Sequence, residues 1–188
     1  MSAAAVTSGG AGPSVSKGVS AAAPGGGLAF GFVEASVVAN LRDIGNWKVR
    51  ADAIENLQGA VACLYDVTPV MPHLADFVAF LRGLLADNNF KISLTTLQVF
   101  SDLVEKIGVA LTPYVGTIVP TLVEKLGDNK IVVRQANAKV FNKLVDTVGP
   151  QPVLAVLATP LQHRSWRVRE EVANVAILGL HTAGTRLT

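Results

Sequence analysis

The chain has 188 residues, of which 50% are apolar, 6% aromatic and 16% charged, and its formal net charge is +2. That length suffices for one domain with a sizeable core, and so small a net charge argues against nucleic-acid binding by charge alone. Cys63 is the only cysteine, which excludes an internal disulfide and fits a reducing compartment, and no Asn-x-Ser/Thr sequon argues for secretion.

Residues 1–31 are almost all Ala, Gly, Ser and Val, with one charge at Lys17. Such a segment buries too little surface to offset its ordering entropy, so a disordered leader or linker is expected there. It lacks the arginines of a transit peptide. Over 32–188 the pattern turns helical. Phe32, Val33, Val37, Leu41 and Ile44 follow a three-to-four spacing up to Asn46. Ala51, Ile54, Leu57, Val61 and Leu64 line the next segment, and Pro69 and Pro72 mark the turn after it. Leu74, Phe77, Val78, Leu81, Leu84 and Leu85 form a third stripe, closed by the cap-rich Asp87-Asn88-Asn89. Ile92, Leu97, Phe100, Leu103, Val104 and Ile107 make the fourth.

The most apolar window, Ile107 to Val123, carries no charge. Pro113 and Pro120 interrupt it and it falls short of about 20 residues, so a packed helix is expected rather than a membrane span. Pro113 is expected to open the fifth helix, which ends near Gly127. Val133, Ala136, Val140, Leu144 and Val148 follow, and Gly149-Pro150 ends that run. Leu154, Leu157 and Leu161 start the last pair, and Val168, Val172, Val175 and Leu178 close it. The expectation is all-α: eight helices in four antiparallel pairs.

Within this pattern one short phrase recurs four times. It reads Asn46-Trp47-Lys48-Val49-Arg50, Asn89-Phe90-Lys91-Ile92-Ser93, Lys130-Ile131-Val132-Val133-Arg134 and Ser165-Trp166-Arg167-Val168-Arg169. Its steps of about 43, 41 and 35 residues are those of HEAT-type hairpins, which stack into an α-solenoid and bring equivalent turns to one edge. Turns within a pair (Gly45–Trp47, Asp87–Phe90, Asp128–Ile131, His163–Trp166) should therefore face away from turns between pairs (Asp66–Pro72, Gly108–Pro113, Gly149–Pro152).

The first set concentrates Lys48, Arg50, Lys91, Lys130, Arg134, Arg164, Arg167 and Arg169 beside Trp47, Phe90 and Trp166. Arg and Trp anchor interfaces more than most residue types, and a positive ridge steers toward an acidic partner. Arg50, Arg134 and Arg169 are expected to bond an Asp of a neighbouring repeat, since buried Arg is normally paired. Phe90 and Trp166 either cap the core or stand at the surface. Trp47, in the end-most repeat, has fewer neighbours to pack on. Lys48, Lys91, Lys130 and Arg167 are contact candidates, or simply solvated turn charges.

No catalytic constellation accompanies the ridge. His73, His163 and His181 lie in different repeats, so neither a metal nor a cofactor site is expected. Gly25-Gly26-Gly27 follows no strand and belongs to no phosphate loop. Glu170 and Glu171 are adjacent on a helix and point apart. Cys63 is expected to be an inert core residue. An enzyme is the least supported class.

The four turns, together with Phe90 to Leu103, Thr117-Ile118-Val119-Pro120-Thr121-Leu122 and Lys125-Leu126-Gly127-Asp128-Asn129-Lys130, resemble a TOG domain. The likeness is to the first TOG domains of the CLIP-associating proteins (CLASP) and of crescerin, and it covers about Phe32 to Leu180. It implies a microtubule-associated protein of the cytoplasm and cytoskeleton, or of a cilium or flagellum. The partner it implies is the acidic tubulin heterodimer, neither nucleic acid nor membrane, with an effect on microtubule dynamics. By motif match the contacts would be Trp47, Lys48, Phe90, Lys91, Asn129, Lys130, Arg164 and Arg167. A full TOG domain has about six repeats. The apolar stripe expected on the last helix, Val172, Val175, Ala176 and Leu178, therefore calls for further repeats or another chain to cover it. A generic HEAT scaffold for a different protein partner is the alternative.

Overall fold

Helix pairing follows from where each apolar stripe can be buried. The computed structural model describes residues 26–185, so the leader expected over 1–31 lies outside the described residues as far as residue 25. Helices α1 (Ala35–Arg42) and α2 (Trp47–Ala62) form the first hairpin, α3 (Leu74–Leu85) and α4 (Phe90–Ile107) the second. Helices α5 (Val115–Leu126) and α6 (Ile131–Val148) form the third, α7 (Pro150–Leu157) and α8 (Trp166–Thr185) the fourth. The chain is thus the all-α solenoid of four HEAT-type hairpins that the repeat spacing implies. The second helices α2, α4 and α6 lie side by side in one layer, and α3, α5 and α7 in the other.

Helix α4 occupies the middle of the stack, between α2 and α6, and its buried set is the longest of any helix. Ile92, Leu97, Val99, Phe100 and Leu103 on it are fully enclosed, alongside Phe77 of α3 and Phe141 of α6. Small polar Ser93, Thr95 and Thr96 are buried there too; the Thr96 hydroxyl donates to the Ile92 carbonyl at 2.7 Å and the Ser93 hydroxyl to the Phe90 carbonyl at 3.2 Å. Asn137, fully buried on α6, donates to the Leu122 carbonyl of α5 at 2.6 Å and ties the third pair together.

Several boundaries differ from the expectation. Phe32 and Val33 are not helical: Leu28–Ala29 (β1) pairs antiparallel with Val33–Glu34 (β2). The packed structure therefore begins before the boundary expected at Phe32. Gly31 makes this turn possible, because its φ of +79° favours glycine and a Cβ there would sit 2.2 Å from the Pro69 carbonyl oxygen. The hairpin sets Phe30 and Phe32 against Phe77, with ring centroids 5.1 and 5.2 Å apart, and closes that end of the stack. Ile44 falls beyond the end of α1 and is 84% exposed.

The window Ile107–Val123 is not one helix. The longer stretch Phe90–Leu126 is apolar enough by composition to cross a membrane, yet it reverses through a 3-10 turn over Gly108–Tyr114 between α4 and α5. Gly108, at φ +65°, ends α4, and Pro113 lies in that turn, so α5 starts only at Val115. In the last pair Val153 and Leu157 carry the burial, while Leu161 is exposed in a short 3-10 segment. Val172 and Val175 also point inward, so the outward apolar residues of α8 are Ile177 and Leu180. Cys63 is not core: it is the C-cap of α2 and exposed.

Gly31→Ala combines an unfavourable φ with a backbone clash, and such strain costs about 1–3 kcal/mol. Urea unfolding should show a loss of about 2 kcal/mol, while Gly83→Ala, in open space on α3, should be neutral or slightly stabilising.

Candidate functional site

Each within-pair turn is built the same way, by a side-chain acceptor that closes on the amide two residues ahead. Asp43 accepts from the Gly45 N–H at 3.0 Å, Asp87 from Asn89 at 2.8 Å and Asp128 from Lys130 at 2.9 Å. In the fourth turn His163 Nδ1 takes this role, accepting from the Ser165 N–H at 3.1 Å. Asn46 and Asn89 then cap α2 and α4, accepting from Val49 at 3.2 Å and Lys91 at 3.0 Å. Two positions beyond the start of each second helix an apolar residue plugs the core: Ile92, Val133 and Val168 are buried and Val49 half-buried.

With that residue fixed inward, the second residue of the phrase is fixed outward. Trp47 is 67% exposed, Phe90 48%, Ile131 57% and Trp166 62%. Phe90 and Trp166 therefore stand at the surface and do not cap the core. Val132 is exposed beside Ile131. These two are contact positions that aromatic content does not flag; the signal for Ile131 is that it holds the same register as Trp47.

The four turns are neighbours in space. Arg50, buried at the start of α2, donates through Nε to the Leu41 carbonyl at 3.0 Å and through its terminal nitrogen to Asp87 of the second turn. Lys130 of the third turn sets its ammonium 4.4 Å from the centroid of the Phe90 ring in the second. A Cβ on Gly127 would meet Val168 at 2.7 Å, so the third turn packs against the first turn of α8. His163 lies 3.6 Å from Glu124 of α5. Opposite, between the pairs, Tyr65 stands 92% exposed with Lys106 over its ring.

Of the arginines expected to pair with an Asp of a neighbouring repeat, only Arg50 does. Arg134 donates to its own turn, to the Asp128 carbonyl at 2.7 Å and the Asn129 carbonyl at 3.3 Å. Arg169 does likewise, to the His163 carbonyl at 2.7 Å and the Arg164 carbonyl at 3.2 Å. The reason lies in the phrase itself. His163 stands in the fourth turn where Asp87 stands in the second, so Arg134 finds no acid ahead of it, and no described turn follows Arg169.

Burial alone would raise the Asp87 carboxyl. The bonds it accepts from Arg50 and the Asn89 N–H, with the charges of Arg50 and Lys125, outweigh burial and hold it below the ordinary carboxylate value.

The residues singled out by sequence share this edge. Lys48, Asn129 and Arg164 are exposed. Lys91 is exposed but ion-paired to Glu55 of α2 at 2.7 Å, a partner the phrase alone does not reveal. Arg167 is half-buried, its guanidinium 5.8 Å from the centroid of the Trp166 ring. Among the described residues no group of three or more His, Cys, Asp or Glu is placed to hold a metal ion.

No family model matches the chain. The human TOG array regulator of axonemal microtubules protein 1 is 36% identical over 155 residues, which is 82% of this chain and 9% of that protein. The Drosophila melanogaster CLIP-associating protein is 30% identical over 105 residues, 54% of this chain and 7% of the relative. A solved structure of crescerin, which uses a TOG domain array to regulate microtubules in the primary cilium, superposes with a TM-score of 0.70 at 36% identity, covering 79% of this chain and 60% of that one. The chain carries a TOG domain of the CLASP and crescerin family. The MAST/Orbit N-terminal domain shares the fold, at 23% identity and a TM-score of 0.66 over 80% of this chain and 66% of that one. This TOG domain and its flanks span about a tenth of the curated relatives, 9% of both the human and the mouse protein.

Asp87→Asn keeps the side-chain shape but leaves Arg50 buried without its counter-charge, so urea unfolding at neutral pH should lose about 3 kcal/mol. The folded pKa of Asp87 lies below the unfolded value near 3.9. Its contribution is thus complete above the unfolded value and fades as pH falls through the folded one. The gap between wild type and variant should therefore close below about pH 4. Trp47→Ala and Trp166→Ala, by contrast, should move stability by no more than about 0.5 kcal/mol.

Proposed function

We propose that this TOG domain binds the tubulin heterodimer through its within-pair turns and so acts on microtubule dynamics. The observation that carries the proposal is the alignment of four outward apolar side chains, Trp47, Phe90, Ile131 and Trp166, beside Lys48, Lys91, Lys130, Arg164 and Arg167 on one edge. Rings and arginines at the surface contribute little to folding and supply the contacts that dominate interfaces. The positive charges steer an acidic partner to them. Asn129 belongs to the same face through the third turn. The name of the human relative, for axonemal microtubules, and the description of the crescerin structure, for microtubules of the primary cilium, support the choice of partner. They also support a place on the cytoskeleton, in the cytoplasm or a cilium.

A single edge of this kind buries limited surface, so linked copies would raise the effective concentration. The role is binding, with no catalytic step assigned to any residue.

Cosedimentation and size-exclusion chromatography with purified tubulin test the face. Trp47→Glu combined with Lys91→Ala and Lys130→Ala should weaken binding by at least about tenfold, the effect of losing about 1.4 kcal/mol at an interface. Unchanged binding would remove this edge from consideration. A pulldown without tubulin but rich in another assembly would favour a HEAT scaffold for a different partner.

A further inference from the structure

The cations of the turn edge differ in what already engages them. Lys48 and Arg164 form no ion pair among the described residues. Lys130 and Arg167 lie over ring faces, which leave a full positive charge for a partner to meet. Among the exposed cations of this row in the described residues, Lys91 alone has its charge matched by a carboxylate, its Nζ lying 2.7 Å from Glu55 Oε1; the buried Arg50 is held by Asp87. Glu55 sits on α2, beside α4 in the same layer, so the pair crosses from the first repeat to the second on the solvent side. Both side chains are about half exposed, at 46% and 57%, and among the described residues no hydrogen bond of the fold depends on the Glu55 carboxylate. An ion pair this wet contributes little to folding. Its placement beside Phe90, amid the outward row, gives it a different consequence.

We infer that Glu55 sets specificity at this edge, by occupying Lys91 until a densely acidic surface displaces it. The inference rests on the tubulin reading above. Binding exchanges one carboxylate for another on the same ammonium: the Lys91–Glu55 contact opens, Lys91 meets the partner, and Glu55 returns to water. A partner offering one isolated carboxylate gains nothing from that exchange, and the freed Glu55 repels it. A partner with clustered carboxylates recovers the loss through Lys48, Lys130 and Arg167 together. Discrimination of this kind works by penalising the wrong partner.

The test uses the full chain and purified tubulin, with wild type, Glu55→Gln, Lys91→Ala and the double variant. Glu55→Gln should bind about threefold tighter, the scale of an exposed pair, mostly through faster association. The gain should disappear in the Lys91→Ala background, while the urea midpoints of all four proteins stay together. Equal or weaker binding by Glu55→Gln overturns the inference alone. A gain that persists without Lys91 also overturns it, since Glu55 would then act only as a general repulsive charge. Failure of the wild type to bind tubulin overturns the face itself, and this inference with it.

Discussion

Helix α4 is buried on two sides, against α2 and α6, and its ladder of Ile92, Leu97, Phe100 and Leu103 leaves it no freedom to rotate or slide. Cores packed to crystal-like density resist even a one-methylene change. That single constraint aligns the starts of three second helices along one side of the molecule. Every property of the edge is downstream of it: which side chain of each phrase enters the core, which one is left outside, and which turns touch. The charges did not assemble the edge. They were placed on a row that apolar packing had already made.

Division of labour within the phrase follows from helix geometry. The buried apolar residue lies two positions beyond the ring at the helix start, about 200° around the axis, so the two point to opposite sides and burying one exposes the other. Val133 under Ile131 and Val168 under Trp166 repeat the arrangement of Ile92 under Phe90. Backbone closure is likewise repeated, with Asp43, Asp87, Asp128 and His163 each accepting from the amide two residues on. The third element of the phrase varies in charge: Lys48, Lys91, Val132, Arg167.

The solenoid was legible in the sequence because both of its signals are local. Three-to-four spacing marks each helix, and Asp-Asn or Gly-Pro pairs mark the breaks. The edge was legible as well, since Trp47, Phe90, Ile131 and Trp166 each open the second helix of a hairpin and so take equivalent positions in a stack. What escaped depends on contacts between distant residues. Nothing near Phe32 says that Gly31 will nest against Pro69 and turn the chain into a hairpin. Nothing near Lys91 points to Glu55 on another helix. The arginine ladder has one rung, because only Arg50 has an acid, Asp87, in the next turn, while Arg134 and Arg169 bond carbonyls of their own turns. Cys63 was misplaced by a single residue's difference between the end of a helix and its cap.

Ser93 holds the place in the second repeat that Arg50, Arg134 and Arg169 hold in the others, and its hydroxyl donates only to the Phe90 carbonyl at 3.2 Å. The second and third turns thus lack the buried brace that Arg50 throws between the first two, and meet instead through a solvent-facing ammonium on a ring. The turns along the edge are thus joined in two ways, by a buried ion pair at one end and by an exposed cation on a ring at the centre. Solvent and any partner can reach Lys130 at the central joint, whereas Arg50 at the end joint is enclosed.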